Sequence, residues 1–184
     1  TVAAGTYPSA VAVNPVTNKI YVANQDGTVT VINGETNATA TVAAGTIPWA
    51  VAVNPVTNKI YVANKDSGNV TVINGADNAT STITTGTIPH AIAVNPVTNK
   101  IYVANNGSNS VTVIDGGSGI PSTITAGSGP LSLAVNPVTN KIYVVNSDNT
   151  VSVIDGGSAI VTATITAGTG PSAPGASAGR PALR

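Results

Sequence analysis

Few residues here could do chemistry. His90 is the only histidine, Trp49 the only tryptophan, and there is no cysteine. A structural zinc ion takes four N, S or O ligands, and His90 has neither a second imidazole nor a thiolate to join it. A Ser–His–Asp nucleophile would depend wholly on His90. The acids are spread out: Asp26, Asp66 and Asp148 follow one kind of segment, and Glu35, Asp77, Asp115 and Asp155 another. Glycoside hydrolysis needs two carboxyl groups facing one pocket. "QDG" and "SDN" lack the regular oxygen-ligand spacing of a calcium loop. No catalytic residue, metal or cofactor is expected, and the chain reads as a non-enzyme.

The elements that must position these residues repeat. NPVTNKIYVAN begins at residues 14, 54 and 95, and again at 136 with Val145 replacing the alanine, which gives steps of 40, 41 and 41. Within a unit, AVAVN (10–14) is apolar and rich in valine, and PVTN supplies a turn through Pro15, Asn14 and Asn18. KIYVAN (19–24) sets Ile20 and Val22 on one face and Tyr21 and Ala23 on the other. TVTVIN (28–33) and ATATVAAG (38–45) complete the unit, separated by turns. No segment has helical spacing, and the β-branched excess argues for strands.

Four short antiparallel strands in about 40–45 residues form a propeller blade. One blade cannot cover both of its apolar faces, whereas stacking it on copies of itself does. The expected fold is therefore all-β, a β-propeller of four-stranded antiparallel blades with four repeats of about 41 residues. Blades are expected over 6–45, 46–86, 87–127 and 128–168. Residues 1–5 (TVAAG) match an outer strand and are surplus to the four units. Residues 169–184, rich in Pro, Ala and Gly, read as a tail or linker.

Differences between near-identical copies mark positions released from the shared packing role. The residue after the inter-blade proline varies most: Ser9, Trp49, His90 and Leu131. The residue before it is Tyr7, Ile47, Ile88 or Gly129. Both positions belong where one blade crosses to the next, near a mouth of the central channel. Ser9, Trp49, His90, Leu131 and Tyr7 are thus the candidate binding residues, with Trp49 able to stack on a sugar or a peptide. Lys19, Lys59, Lys100 and Lys141 recur beside the first turn of each unit, where they read as solvated turn residues.

NKIYVAN, preceded by AVNPVT and followed by TVTVING, resembles the YVTN-type β-propeller repeat. The tetrapeptide stands here as YVAN at Tyr21–Asn24, Tyr61–Asn64 and Tyr102–Asn105, and as YVVN at Tyr143–Asn146. The resemblance covers about residues 1–168. It implies a prokaryotic secreted or surface-layer protein, often with seven blades in a ring, and no single activity.

Composition points the same way. Only 8% of residues are charged, the formal net charge is zero, and 42% are apolar. Such a surface lacks the basic field that nucleic acids require and has little electrostatic defence against self-association. No apolar run approaches the ~20 residues of a membrane helix. The sequence opens at Thr1 without methionine, which fits removal of a signal peptide or a start within a longer chain. Sequons stand at Asn37, Asn69, Asn78 and Asn106. Two functional classes follow. One is an extracellular structural protein that self-associates into oligomers or filaments, exchanging strands at its N-terminus or tail. The other is a propeller that binds a carbohydrate or protein ligand at the variable residues.

Overall fold

The structure, a computed structural model, describes residues 1–170. Sixteen strands form four antiparallel sheets of four. The first blade holds β1 (Pro8–Asn14), β2 (Lys19–Asn24), β3 (Thr28–Asn33) and β4 (Thr39–Ala43). The second holds β5 (Pro48–Asn54), β6 (Lys59–Asn64), β7 (Asn69–Asn74) and β8 (Thr80–Thr84). The third holds β9 (Pro89–Asn95), β10 (Lys100–Asn105), β11 (Ser110–Asp115) and β12 (Pro121–Thr125). The fourth holds β13 (Pro130–Asn136), β14 (Lys141–Asn146), β15 (Thr150–Asp155) and β16 (Ile160–Thr166). Strands pair in chain order within each sheet, as short turns between antiparallel neighbours require.

The turns explain why these sequences fold so. Asn14 Oδ1 accepts from the Val16 backbone N–H at 3.0 Å, closing an Asx turn over Pro15. Asn18 then takes a left-handed backbone at φ 51°, a conformation asparagine tolerates better than most residues. Asn58, Asn99 and Asn140 repeat it at φ 51–52°. Inside each blade the asparagine that ends YVAN or YVVN is buried. Asn64 Nδ2, for example, donates to Asn69 Oδ1 and to Thr71 Oγ1 at 2.8 and 2.9 Å. It ties the second strand to the third below the turn.

The core lies between blades. Tyr21, Ala23, Val29 and Val31 of the first blade pack against Ile60, Val62 and Ile73 of the second. Tyr61, Ala63 and Val70 meet Ile101, Val103 and Ile114 in the same way, and Tyr102, Ala104 and Val111 meet Ile142, Val144 and Ile154. The two faces read from KIYVAN are thus the two sides of a joint. Each fully buried isoleucine contributes roughly 1.5–3 kcal/mol of transfer free energy, so stacking stabilises blades that could not stand singly.

The inner strands follow one another around an arc: β1 packs on β5, β5 on β9 and β9 on β13. Among the described residues no comparable contact returns from β13 to β1, and the stack stays open. Residues 1–5, expected as a surplus outer strand, form no strand pair. Their end is nonetheless held like the end of an outer strand. Gly5 N donates to Thr30 Oγ1 at 3.2 Å, as Gly86 N does to Thr112 Oγ1 and Gly127 N to Ser152 Oγ on later blades. Of the expected tail at 169–184, residues 171–184 lie outside the described residues.

Candidate functional site

The four variable residues occupy one structural position. In β1, Pro8 pairs with Asn24 and Ala10 with Ala23, so Ser9 is skipped by the ladder. Trp49, His90 and Leu131 are skipped in the same way in β5, β9 and β13. Each is the extra residue of a β-bulge on an innermost strand. A bulge frees its residue from the pleat and re-aims the side chain, which is why this position varies while the proline before it does not.

Freed in this way, the side chains reach for the following blade. Ser9 Oγ donates to the Pro48 carbonyl at 2.7 Å, with a second acceptor, the Ala23 carbonyl, at 3.2 Å. The Trp49 and His90 rings lie 5.6 Å apart between centroids, tilted by 48°. His90 Nδ1 stands 2.8 Å from the Leu131 carbonyl, so this nitrogen carries the proton and donates. The result is an inner ribbon of contacts running through all four blades. On its outer side Lys65 Nζ sits 4.3 Å from the centre of a Trp49 ring, within reach of a cation–π contact.

Tyr7 stands apart from this ribbon. It is 75% exposed, and its carbonyl accepts from Gln25 N at 3.1 Å. Ile47 and Ile88 present their carbonyls to Lys65 N and Asn106 N in the same way, both at 2.9 Å. Tyr7, Ile47 and Ile88 all have φ near 52°, and Gly129 has 55°. A left-handed backbone is costly for any residue with a Cβ and most of all for a β-branched one. The position before the proline is therefore a backbone clasp between crossing segment and turn, and the candidate site narrows to Trp49, Lys65 and His90. Lys65, Asp66, Ser67, Gly68, Thr87 and Ile88 line a cleft of about 350 Å³ beside them. Lys65 was not singled out by the repeat comparison, although Gln25, Asn106 and Ser147 at its place differ from it in type.

The acids are held in turns and crossings. Asp26 accepts from the Thr28 hydroxyl at 2.6 Å and from Thr6 N at 2.6 Å, and these bonds hold its carboxyl below the usual range. Asp148 does the same with the Thr150 hydroxyl and with Ser128 N. On the middle blades the hydroxyls of Ser67 and Ser108 replace them, accepting from Thr46 N and Thr87 N. Asp115 accepts from Ser118 N at 2.8 Å and Asp155 from Ser158 N at 2.8 Å, closing their own turns. Among the described residues no three His, Cys, Asp or Glu side chains gather as a metal site would need.

Three of the four lysines differ from the sequence expectation, while Lys141 is exposed in keeping with it. Lys19 Nζ donates to the Gly75 carbonyl at 2.6 Å, Lys59 to Gly116 at 3.0 Å and Lys100 to Gly156 at 2.6 Å. Each reaches across a joint to the next blade. Beside each runs a side-chain amide pair, the first from Asn14 Nδ2 to Asn58 Oδ1 at 2.9 Å.

Against known structures the chain is similar to hydrazine synthase of Kuenenia stuttgartiensis, with a TM-score of 0.81 and 25% identity. The fold is that of a β-propeller. The likeness spans 90% of this chain and 50% of the hydrazine synthase chain, so these four propeller blades correspond to about half the length of that chain. No protein-family model matches the chain, and no curated protein matches it. No helix among the described residues is long and apolar enough to cross a membrane.

Proposed function

We propose that this propeller is a non-enzymatic structural protein of the YVTN-repeat kind, exported to the cell surface or beyond, that associates with itself through its blades. One observation carries the reading: the stack ends in two uncovered apolar faces. Val11 and Val13 are 64% and 54% exposed on the first blade, and Ile165 is 51% exposed on the fourth. Apolar area of this kind drives association in water, and a surface with 8% charged residues does little to oppose it. The placement of Asp26, Asp115, Asp148 and Asp155 in turns and crossings supports a role without catalysis. Small-angle scattering and electron microscopy across a concentration series test the reading. Rods, sheets or discrete rings larger than one chain are expected; a single-chain particle at every concentration would sink it.

A second reading rests on a separate observation, the half-buried Trp49 with Lys65, itself a lining residue of a cleft, over its ring. An aromatic face beside a cation suits a carbohydrate or an acidic peptide. Trp49 is the only tryptophan, so its fluorescence reports directly on titration with sugar oligomers and acidic peptides. No spectral change with any of them removes this reading.

A further inference from the structure

We infer that the free face of the fourth blade is a docking site for the free face of the first blade on a second copy of this chain, joined head to tail. The inference rests on the self-association reading and specifies its surface.

The three internal joints define what such a face requires. Each sets a Tyr-, Ala- and Val-bearing side of one blade on an Ile- and Val-bearing side of the next. Each is latched by two polar contacts in one direction. An amide donates forward from Asn14 to Asn58, from Asn54 to Asn99 and from Asn95 to Asn140, at 2.8–2.9 Å. A lysine donates forward from Lys19, Lys59 and Lys100 to the Gly75, Gly116 and Gly156 carbonyls.

The ends of the arc hold the two halves of a fourth such joint. On the last blade Asn136 and Lys141 are the donor pair, and neither the Asn136 amide nitrogen nor Lys141 Nζ has a partner among the described residues. Tyr143 is 37% exposed there, whereas Tyr21, Tyr61 and Tyr102 are at most 1% exposed. On the first blade the Asn18 side-chain oxygen and the Gly34 carbonyl are the acceptor pair, beside the bared Val11 and Val13. A foreign partner would need both acceptors at this spacing above a matching apolar strip. A second copy carries them already, because the repeat that builds the inner joints also builds the outer halves. The contact is heterologous, so it repeats one rotation and either closes two chains into a ring or continues as a filament.

Because the chain has no cysteine, the joint can be read by site-specific cross-linking. Val138→Cys, in the turn after Asn136 and 92% exposed, on one preparation and Thr17→Cys, beside Asn18, on another are mixed and treated with a short thiol-to-thiol linker. Covalent dimers are expected from this mixture. They are not expected when Ser147→Cys, at the opposite end of β14, replaces Val138→Cys. Lys141→Ala removes a charged donor from the joint and should raise the concentration at half-assembly about tenfold. Circular dichroism of each variant confirms the fold. Assembly that persists with no mixed cross-link and no effect of Lys141→Ala overturns this joint while leaving self-association standing. A wild-type chain that stays monomeric overturns both, and assigns the faces to further blades of one polypeptide.

Discussion

Asn54 donates its side-chain amide to Asn99 Oδ1 at 2.8 Å although the two belong to different blades. Asn54 is fully buried, and its own Oδ1 accepts from Val56 N at 3.1 Å. One side chain thus closes a turn and latches a joint. Asn54→Ala should cost about 2–3 kcal/mol, because it leaves buried polar partners unpaired. Asn136→Ala, at the matching place on the open face, should cost under about 1 kcal/mol in the monomer. Urea unfolding at low protein concentration measures both; equal losses would show that the inter-blade half of the contact contributes nothing.

The left-handed clasp makes a second prediction. Tyr7 has φ 52° with its side chain 75% exposed, so Tyr7→Gly removes backbone strain and little packing. Relief of about 1–2 kcal/mol, offset by the greater freedom of glycine in the unfolded chain, should leave a net gain of about 0.5–1 kcal/mol. A fall in Tm would mean that the ring of Tyr7 packs on something the strain serves.

For the inner ribbon, Trp49→Ala should lower stability by about 1–2 kcal/mol through loss of its contacts with Lys65 and His90. Ser9→Ala should cost about 1 kcal/mol through loss of the bond to the Pro48 carbonyl. Thermal melts give both values. If neither variant moves the transition, the bulge position is free of structural duty and variation there is a matter of ligand alone.

Alkaline titration gives the last. Burial first, and the nearby Asp155 carboxylate second, push the Tyr102 phenol up to about 12. An acid whose folded pKa is raised keeps its proton longer in the folded state. Its contribution is therefore fully present below the unfolded value near 10 and is lost as pH rises from there to about 12. Unfolding free energies measured between pH 9 and 12 should fall over that window, with a smaller fall in Tyr102→Phe. An identical slope in that variant would place the effect elsewhere.

Much of this fold was legible in the sequence. KIYVAN and TVTVIN became strands over the same residues, 19–24 and 28–33, since alternation and turn asparagines act locally. The outer strand read over 38–45 shortened to Thr39–Ala43, because only those residues meet β3 in the ladder. What stayed hidden depends on partners distant in sequence. The bulge at Ser9, Trp49, His90 and Leu131 showed as variation, but its geometry is set by the register against the second strand. The forward reach of Lys19 to Gly75 spans more than one repeat, and nothing in the turn around the lysine signals it. Asn14 and Asn18 were read as turn formers, which they are; that Asn14 also bonds the next blade appears only when the blades are stacked.

The sameness of the joints bears on how the chain reaches this state. A face built from KIYVAN accepts any other blade's opposite face nearly as well as its own neighbour's, for the latch residues are identical. During refolding the first blade of one molecule meets the third of another with no residue to reject it. Misassembly of this kind is a characteristic hazard of tandem repeats and grows with concentration. Emergence of blades one at a time, each finding its predecessor already folded, removes the competition. The order of synthesis thereby supplies the discrimination that four near-identical strings lack.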